Sequence, residues 1–329
     1  MALVTTAVVA PGVSEFFVRT MLKVGRPYLV HSIPSTKIPF ESRTGLIIKL
    51  RRHDDLADAL TPFLEGVTPA EANPTYADIT ATLHQYGNWM KFSDIADLVS
   101  VENLRAIYAE KLGANMAKTA DSINRDLQVG GTQVRYANNV VNRAAVVTSI
   151  ATGDLQAIDR VLLGNNAEYF TSMTKGDAKF DTTPIRPAYF VIGHTDCKRN
   201  IEGLTGYDSV ERYSSQTQVY DSEIGRWGNF RFILTSNAKI YPDLGGAPGA
   251  LKSTTGAACD VYPLLIFAKD AYAEIALEEG NVSNITQEFG SAGTEDPLNQ
   301  EMSIGWKFLK TGAIISDPNL YRYEIGVTA

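Results

Sequence analysis

The stretch His194-Thr195-Asp196-Cys197 places a thiol, an imidazole and a carboxylate within four consecutive residues. A cysteine becomes a useful nucleophile when a base sits within hydrogen-bond reach, and this spacing lets His194 serve Cys197 in that way. The plainer account is a loop that follows a buried strand, Ala188 to Ile192. Phe289-Gly290-Ser291-Ala292-Gly293 has the outline of a nucleophile elbow, but it lacks the glycine two places before the serine and has no strand-to-helix setting. It reads as a turn. The adjacent carboxylates Asp54 and Asp55, and Glu278 and Glu279, sit in polar runs and read as solvated. His31, His53, His84 and His194 are far apart, and no HExxH, EF-hand, GxGxxG or P-loop pattern occurs. Two cysteines, Cys197 and Cys259, make neither a disulfide framework nor a zinc pattern, and read as thiols of a reducing compartment. The sequons at Asn281 and Asn284 matter only in a secretory pathway. No catalytic, cofactor-binding or metal-ligating residue is assigned, no cofactor is expected, and the chain is not read as an enzyme.

The totals narrow the classes further. The chain has 329 residues, 44% hydrophobic and 20% charged, so it should fold, as two medium domains or one large one with insertions. A net charge of −7 argues against a protein that coats nucleic acid by neutralising phosphates, though not against one that surrounds it. No basic residue precedes the apolar run Ala7 to Ala10, so no signal peptide is read, and runs such as Pro263 to Ala268 are far too short to span a membrane.

The stretch around which the chain is organised is 97–131, read as one amphipathic helix. Leu104, Ile107, Tyr108, Leu112, Met116, Ala120, Ile123 and Leu127 form a stripe at steps of three and four. Ser100 is the expected N-cap, and Gly130 and Gly131 the expected left-handed stop. From Val101 to Val129 such a helix runs about 43 Å, long for a globular domain.

The segments before it lack the apolar residues to stand alone. Residues 1–40 hold a short helix, Glu15 to Val24, and then an extended piece punctuated by Pro34 and Pro39. Strands are expected at 44–52 and at 79–92, joined by a stretch far longer than a hairpin loop and carrying Pro62, Pro69 and Pro74. A long two-stranded excursion is marginal in water and needs a surface to lean on.

Beyond the helix, a strand is expected at Ala144 to Ile150, then a helix capped by Asp154 with Leu155, Ile158 and Leu162 buried, and a boundary in the polar stretch 171–187. Residues 188–280 read as an α/β unit. Its expected elements are strands at Ala188 to Ile192, Ile224 to Ala238 and Val261 to Phe267, short helices at Asp196 to Gly203 and Asp270 to Leu277, and a mobile loop at 242–256. The last residues alternate as strands around Ile304, Trp306 and Phe308 and around Tyr321, Tyr323 and Ile325.

Four stretches in chain order carry a resemblance. They are Met21-Leu-Lys-Val-Gly-Arg-Pro-Tyr-Leu-Val-His31 leading to Gly45-Leu-Ile-Ile-Lys-Leu-Arg-Arg52, and Tyr86-Gly-Asn-Trp89-Met-Lys-Phe92-Ser-Asp94. Then come Glu223-Ile-Gly-Arg226-Trp-Gly-Asn-Phe-Arg231-Phe with Thr235-Ser-Asn237-Ala-Lys, and Phe267-Ala-Lys-Asp270-Ala-Tyr272 with Gly290-Ser-Ala-Gly293-Thr-Glu-Asp296-Pro-Leu-Asn299-Gln and Gly305-Trp306-Lys307. In these the chain resembles the major capsid protein family of tailed phages of the N-four type. The resemblance implies an α+β chain with the Hong Kong 97-like (Johnson) capsid fold. It would divide as an N-terminal arm at 1–40, an extended β-hairpin loop at 41–92, and a peripheral domain at 93–179 with its spine helix at 97–131. An α/β axial domain would follow at 180–282, and closing strands at 283–329 would return to the peripheral domain.

The implied function is self-assembly through hexamers and pentamers into an icosahedral shell around a double-stranded DNA genome, with no membrane involved. The implied partners are other copies of the chain, DNA held without sequence specificity, and scaffolding, decoration and portal proteins. The implied location is the virion, after assembly in the host bacterial cytoplasm. Phe16, Phe17 and Leu22 of the arm, Phe63 and Leu64 near the hairpin tip, and Trp89 and Phe92 at its base are the candidate inter-subunit contacts. Trp89 and Phe92 either anchor on a neighbour or pack within their own chain. Removal of 1–40 is expected to leave a folded chain that does not assemble. The alternatives are a cellular nanocompartment shell of the same fold around a cargo enzyme, and a thiol enzyme using Cys197 and His194.

Overall fold

The computed structural model describes residues 29–40, 45–53, 56, 58–60, 62, 66, 71–100, 103–170, 187–212, 222–277, 283–291 and 296–329. The architecture is α+β, and its backbone is one long strand crossed by one long helix. The strand is β13, Glu301–Ile314. One of its edges pairs antiparallel with β4, His84–Ser93, over ten residues. Its other edge takes β12, Ser283–Gln287, and then β11, Tyr272–Leu277. A parallel strand β1, Thr36–Phe40, lies beyond β11.

Strict alternation decides what this sheet buries. Met302, Ile304, Trp306 and Phe308 lie on one face, where they form a core with Phe92 and with Ala109, Leu112 and Met116 of the helix. That helix, α2, spans Leu104–Gln128, about 38 Å. It is shorter than expected because Asn103 interrupts it with a non-helical backbone and caps the new start, accepting from Ala106 N at 3.2 Å. A separate short helix, α1, Asp94–Val99, is capped by Ser93. Ser100, the expected N-cap of the long helix, instead closes α1 through Ser100 N–H to Ala96 O. The far end also differs. Neither Gly130 nor Gly131 adopts the left-handed conformation. The Arg322 guanidinium donates instead to the carbonyls of Val129 and Gly131, a cation placed on the negative end of the helix.

The second sheet runs in the order β5, β14, β10, β6, β9, β8, β7. These are Val134–Tyr136, Leu320–Gly326, Val261–Phe267, Tyr189–His194, Phe230–Thr235, Glu223–Trp227 and Tyr207–Ser209. Both faces are covered, which is why β6 and β10 read as unbroken apolar runs. Tyr189, Val191 and Phe232 pack under α3, Thr152–Gly164, through Leu155, Ile158 and Leu162. Phe190, Ile192 and Phe267 face the other way and meet Val129, Tyr272 and Val30.

Several local expectations give way to tertiary pairing. The single strand expected at 79–92 is two strands, because Leu83 is buried at a bend where its N–H bonds Leu46 O. Before the bend, β3, Tyr76–Thr82, pairs with β2, Ile47–His53, as a separate hairpin. The helix expected at Asp270 to Leu277 is strand β11, fixed between β13 and β1. Residues 144–150 form no strand, since their carbonyls serve two separate segments, Val146 O taking Gly246 N of the 242–256 loop and Thr148 O taking Gly326 N at the end of β14. Asp154 does not cap α3. Its carboxylate accepts from Arg135, from Asn138 N and from Tyr323 OH. The loop 242–256, expected to be mobile, is tied down by buried Asp260, which accepts from Asp243 N, Thr254 N and Thr254 Oγ1.

Candidate assembly surfaces

The thiol cluster does not assemble into a nucleophile. Cys197 is fully buried. Burial, followed by the nearby Asp196 charge, pushes its thiol up to about 12. His194 Nδ1 accepts from Asp196 N at 3.1 Å rather than facing the sulfur, and burial lowers the His194 pKa. The Asp196 carboxylate is taken by Lys252 at 2.6 Å and Tyr262 OH at 3.0 Å. Ser291 turns its hydroxyl to Glu288 O within a turn at which Gly290 has φ +87°. Asp54, Asp55, Glu278 and Glu279 lie outside the described residues. Among the described residues no three His, Cys, Asp or Glu side chains converge as metal ligands, and no helix is long and apolar enough to cross a membrane.

What the described residues present instead are exposed apolar side chains. On β4 the pleat sends Phe92 inward, where its ring lies 5.3 Å from Tyr108 and 6.1 Å from Phe289. Of the two outcomes open to it, Phe92 takes packing in its own chain. Trp89 points to the opposite face and is 63% exposed. Gly305 lies beside it in register, and Ile285 pairs with Gly305 from the other side. A Cβ at Gly305 would fall 2.8 Å from Trp89 Cβ, so only a glycine leaves room for the root of the Trp89 side chain. The three residues, with Gly87, Ser303 and Gln287, line a groove of about 360 Å³.

Strand β12 is inverted in polarity relative to a free-standing sheet. Ile285 faces out, while Asn284 and Thr286 face the helix side in register with Trp306 and Ile304. The Asn284 amide, Thr286 Oγ1 and Trp306 Nε1 have no hydrogen-bond partner among the described residues. A strand that puts its apolar residue outside and its polar residues inside suits a sheet whose outer face becomes covered.

Two further surfaces share this character. Helix α1 buries none of its residues, and Ile95, Leu98 and Val99 form an exposed stripe. Its mark in the sequence is Ser93 followed by apolar residues at steps of three and one, just before the longer helix. The β2–β3 hairpin is seated chiefly at its base, where Ile48, Ala81 and Leu83 meet Ile275 and Ala313, with Leu50 and Ile79 packed alongside and Arg52 donating to Ile315 O at 3.3 Å. Toward its far end Tyr76 is exposed, with Arg51 stacked 4.1 Å over its ring and bonded to Asp78 at 2.8 Å. Phe16, Phe17, Leu22, Phe63 and Leu64 lie outside the described residues.

No family model and no curated protein sequence matches the chain. Solved structures do. The capsid of Ralstonia phage GP4 superposes with a TM-score of 0.62 at 11% identity, over 90% of this chain and 87% of that one. The head structure of Helicobacter pylori bacteriophage KHP40 gives 0.60 at 10% identity, over 88% and 87%. The mature capsid of bacteriophage PhiM1 gives 0.57 at 9% identity, over 90% and 86%. At such identities what is shared is the fold, and it is shared along nearly the whole length of both chains. With its long helix laid on a long strand, its marginal hairpin and its two-faced mixed sheet, the chain has the Hong Kong 97-like capsid fold.

Proposed function

We propose that the chain is the major capsid protein of a tailed bacteriophage, self-assembling through hexamers and pentamers into an icosahedral shell around double-stranded DNA. The observation that carries this reading is the end-to-end match to phage capsids by a chain whose own hairpin, short helix and outer sheet face leave large apolar groups uncovered. A closed shell covers such groups and engages many modest interfaces at once. In this reading 1–40 is the arm, 41–92 the extended loop, 93–179 and 283–329 the peripheral domain, and 180–282 the axial domain. The net charge of −7 suits an inner wall that does not hold DNA tightly and has no sequence preference. The shell would form in the host cytoplasm and end in the virion, with scaffolding, decoration and portal proteins as further partners.

The arm supplies a test, with its boundary revised. Val30 and His31 are buried and β1 is part of a sheet, so deletion of 1–40 would strip the fold itself. Deletion of 1–28 leaves every one of these contacts in place. The shortened chain is expected to show the circular dichroism and melting of the full chain and to sediment as subunits or small rings. Normal closed shells from it would remove the arm from the assembly mechanism.

A further inference from the structure

The segment that leads out of the arm is fastened to the spine helix by a buried polar joint. Asp121, on α2, accepts on both carboxylate oxygens. Oδ1 takes His31 N at 2.7 Å. Oδ2 takes the His31 ring at 2.8 Å and Asn237 Nδ2 at 2.8 Å. Two turns beyond, Gln128 Nε2 donates to His31 O at 2.7 Å. His31, Asp121, Asn124 and Gln128 are all fully buried. Asn237 belongs to the turn after β9, so the joint holds three parts together: the arm root, the helix and the seven-stranded sheet. Arg125 and Ser122 steady Asn237 from the helix side.

The joint has no good place for an added proton. An ionised Asp121 fixes the His31 proton on Nδ1. A proton on Oδ1 would face the His31 N–H, and one on Oδ2 would face two donors. A proton on His31 Nε2 would be a buried donor, and Nε2 has no partner among the described residues. Other charged groups are already committed. Arg125 binds Asn237 O, Asp126 is paired with Arg125 and Lys239, and Glu274 is paired with Lys310 and accepts from Ser35. Asp270 accepts from Thr36 Oγ1, and Tyr272 OH donates to Asn124. None of these is positioned to take over for Asp121.

We propose that the His31–Asp121–Asn237 joint is an acid-labile latch, which fixes the root of the arm and the 235–238 turn to the spine helix and releases both before the sheet itself unfolds. Burial alone would raise the Asp121 pKa, but the hydrogen bonds from the His31 ring, the Asn237 amide and the His31 backbone N–H hold it below the ordinary carboxylate value. A carboxylate so lowered stabilises the fold above its unfolded-state pKa, and that contribution is lost as pH falls through the folded-state value.

Hydrogen exchange by mass spectrometry on the full chain, corrected for intrinsic rates, tests this from about pH 7 down to about pH 3, across the carboxylate range. Protection of 30–38 is expected to fall about tenfold or more, the scale of one lost charge-assisted hydrogen bond, while β10 stays protected. Asp121→Asn, which keeps the shape and removes the charge, is expected to show the released pattern already at neutral pH. Asn237→Ala, which removes one donor of three, is expected to shift the release to higher pH. Protection of 30–38 that persists through the acid range, or is lost only together with β10, overturns the latch whether or not the variants fold.

Discussion

Trp89→Ala is expected to leave a folded subunit that no longer closes into shells. The indole is 63% exposed, so its removal should change subunit stability by no more than about 0.5 kcal/mol. At an interface, an exposed tryptophan that becomes buried is the kind of anchor whose truncation costs about 2 kcal/mol or more. A shell repeats that loss at every copy, so even the lower figure should shift assembly strongly. Phe92→Ala, three residues along the same strand, is the matched control. Its ring is buried against Tyr108 and Phe289, so truncation should cost about 3–5 kcal/mol of subunit stability by denaturant titration. The opposite pattern, a Trp89 variant that melts early but assembles, would place the indole in its own chain's core.

The second large effect is expected at Arg231. Its guanidinium bonds Glu223 Oε1 at 2.9 Å between β9 and β8, and both side chains are almost wholly buried. Arg231→Met leaves the Glu223 charge in the interior without that partner, and removing one member of a buried pair typically costs about 3–5 kcal/mol. Combining it with Glu223→Leu should recover most of the loss, because replacing both charges by apolar groups is often close to neutral. Urea midpoints of the two single variants and the double variant check this. A double variant no more stable than Arg231→Met alone would mean that the pair is not the unit that matters.

Patterns that a single element imposes on its residues were legible in the sequence. The stripe of α2 predicted the helix, the apolar run 261–267 predicted a buried strand, and the alternation of Ile304, Trp306 and Phe308 predicted the strand β13. Elements defined by their partners were not legible. Tyr272–Leu277 fits a short helix or a strand equally well by composition, and only pairing with β1 and β13 decides it. Val146 and Thr148 belong to strand-forming types, yet their carbonyls answer to two separate segments, a loop at Gly246 and the end of β14 at Gly326. The Asp121 joint joins residues 90 and 116 positions apart, a proximity that no local spacing encodes.

The candidate surfaces divide in the same way. Trp89 stood out as a large aromatic at the base of a marginal hairpin, but its exposure and the burial of Phe92 follow from the register of β4 on β13. The exposed stripe of α1 was hidden by its adjacency to a longer helix with the same period. The alternative of thiol chemistry at His194 and Cys197 finds no support, because the loop turns His194 Nδ1 toward Asp196 N and leaves the sulfur in the core.

The measurement that bears most directly on the capsid reading is negative-stain electron microscopy, joined to sedimentation, of the purified full chain. The account predicts closed shells, or rings of five and six copies, alone or with the head proteins of the same phage co-expressed. A chain that stays monomeric under both conditions, with its fold intact, would contradict it.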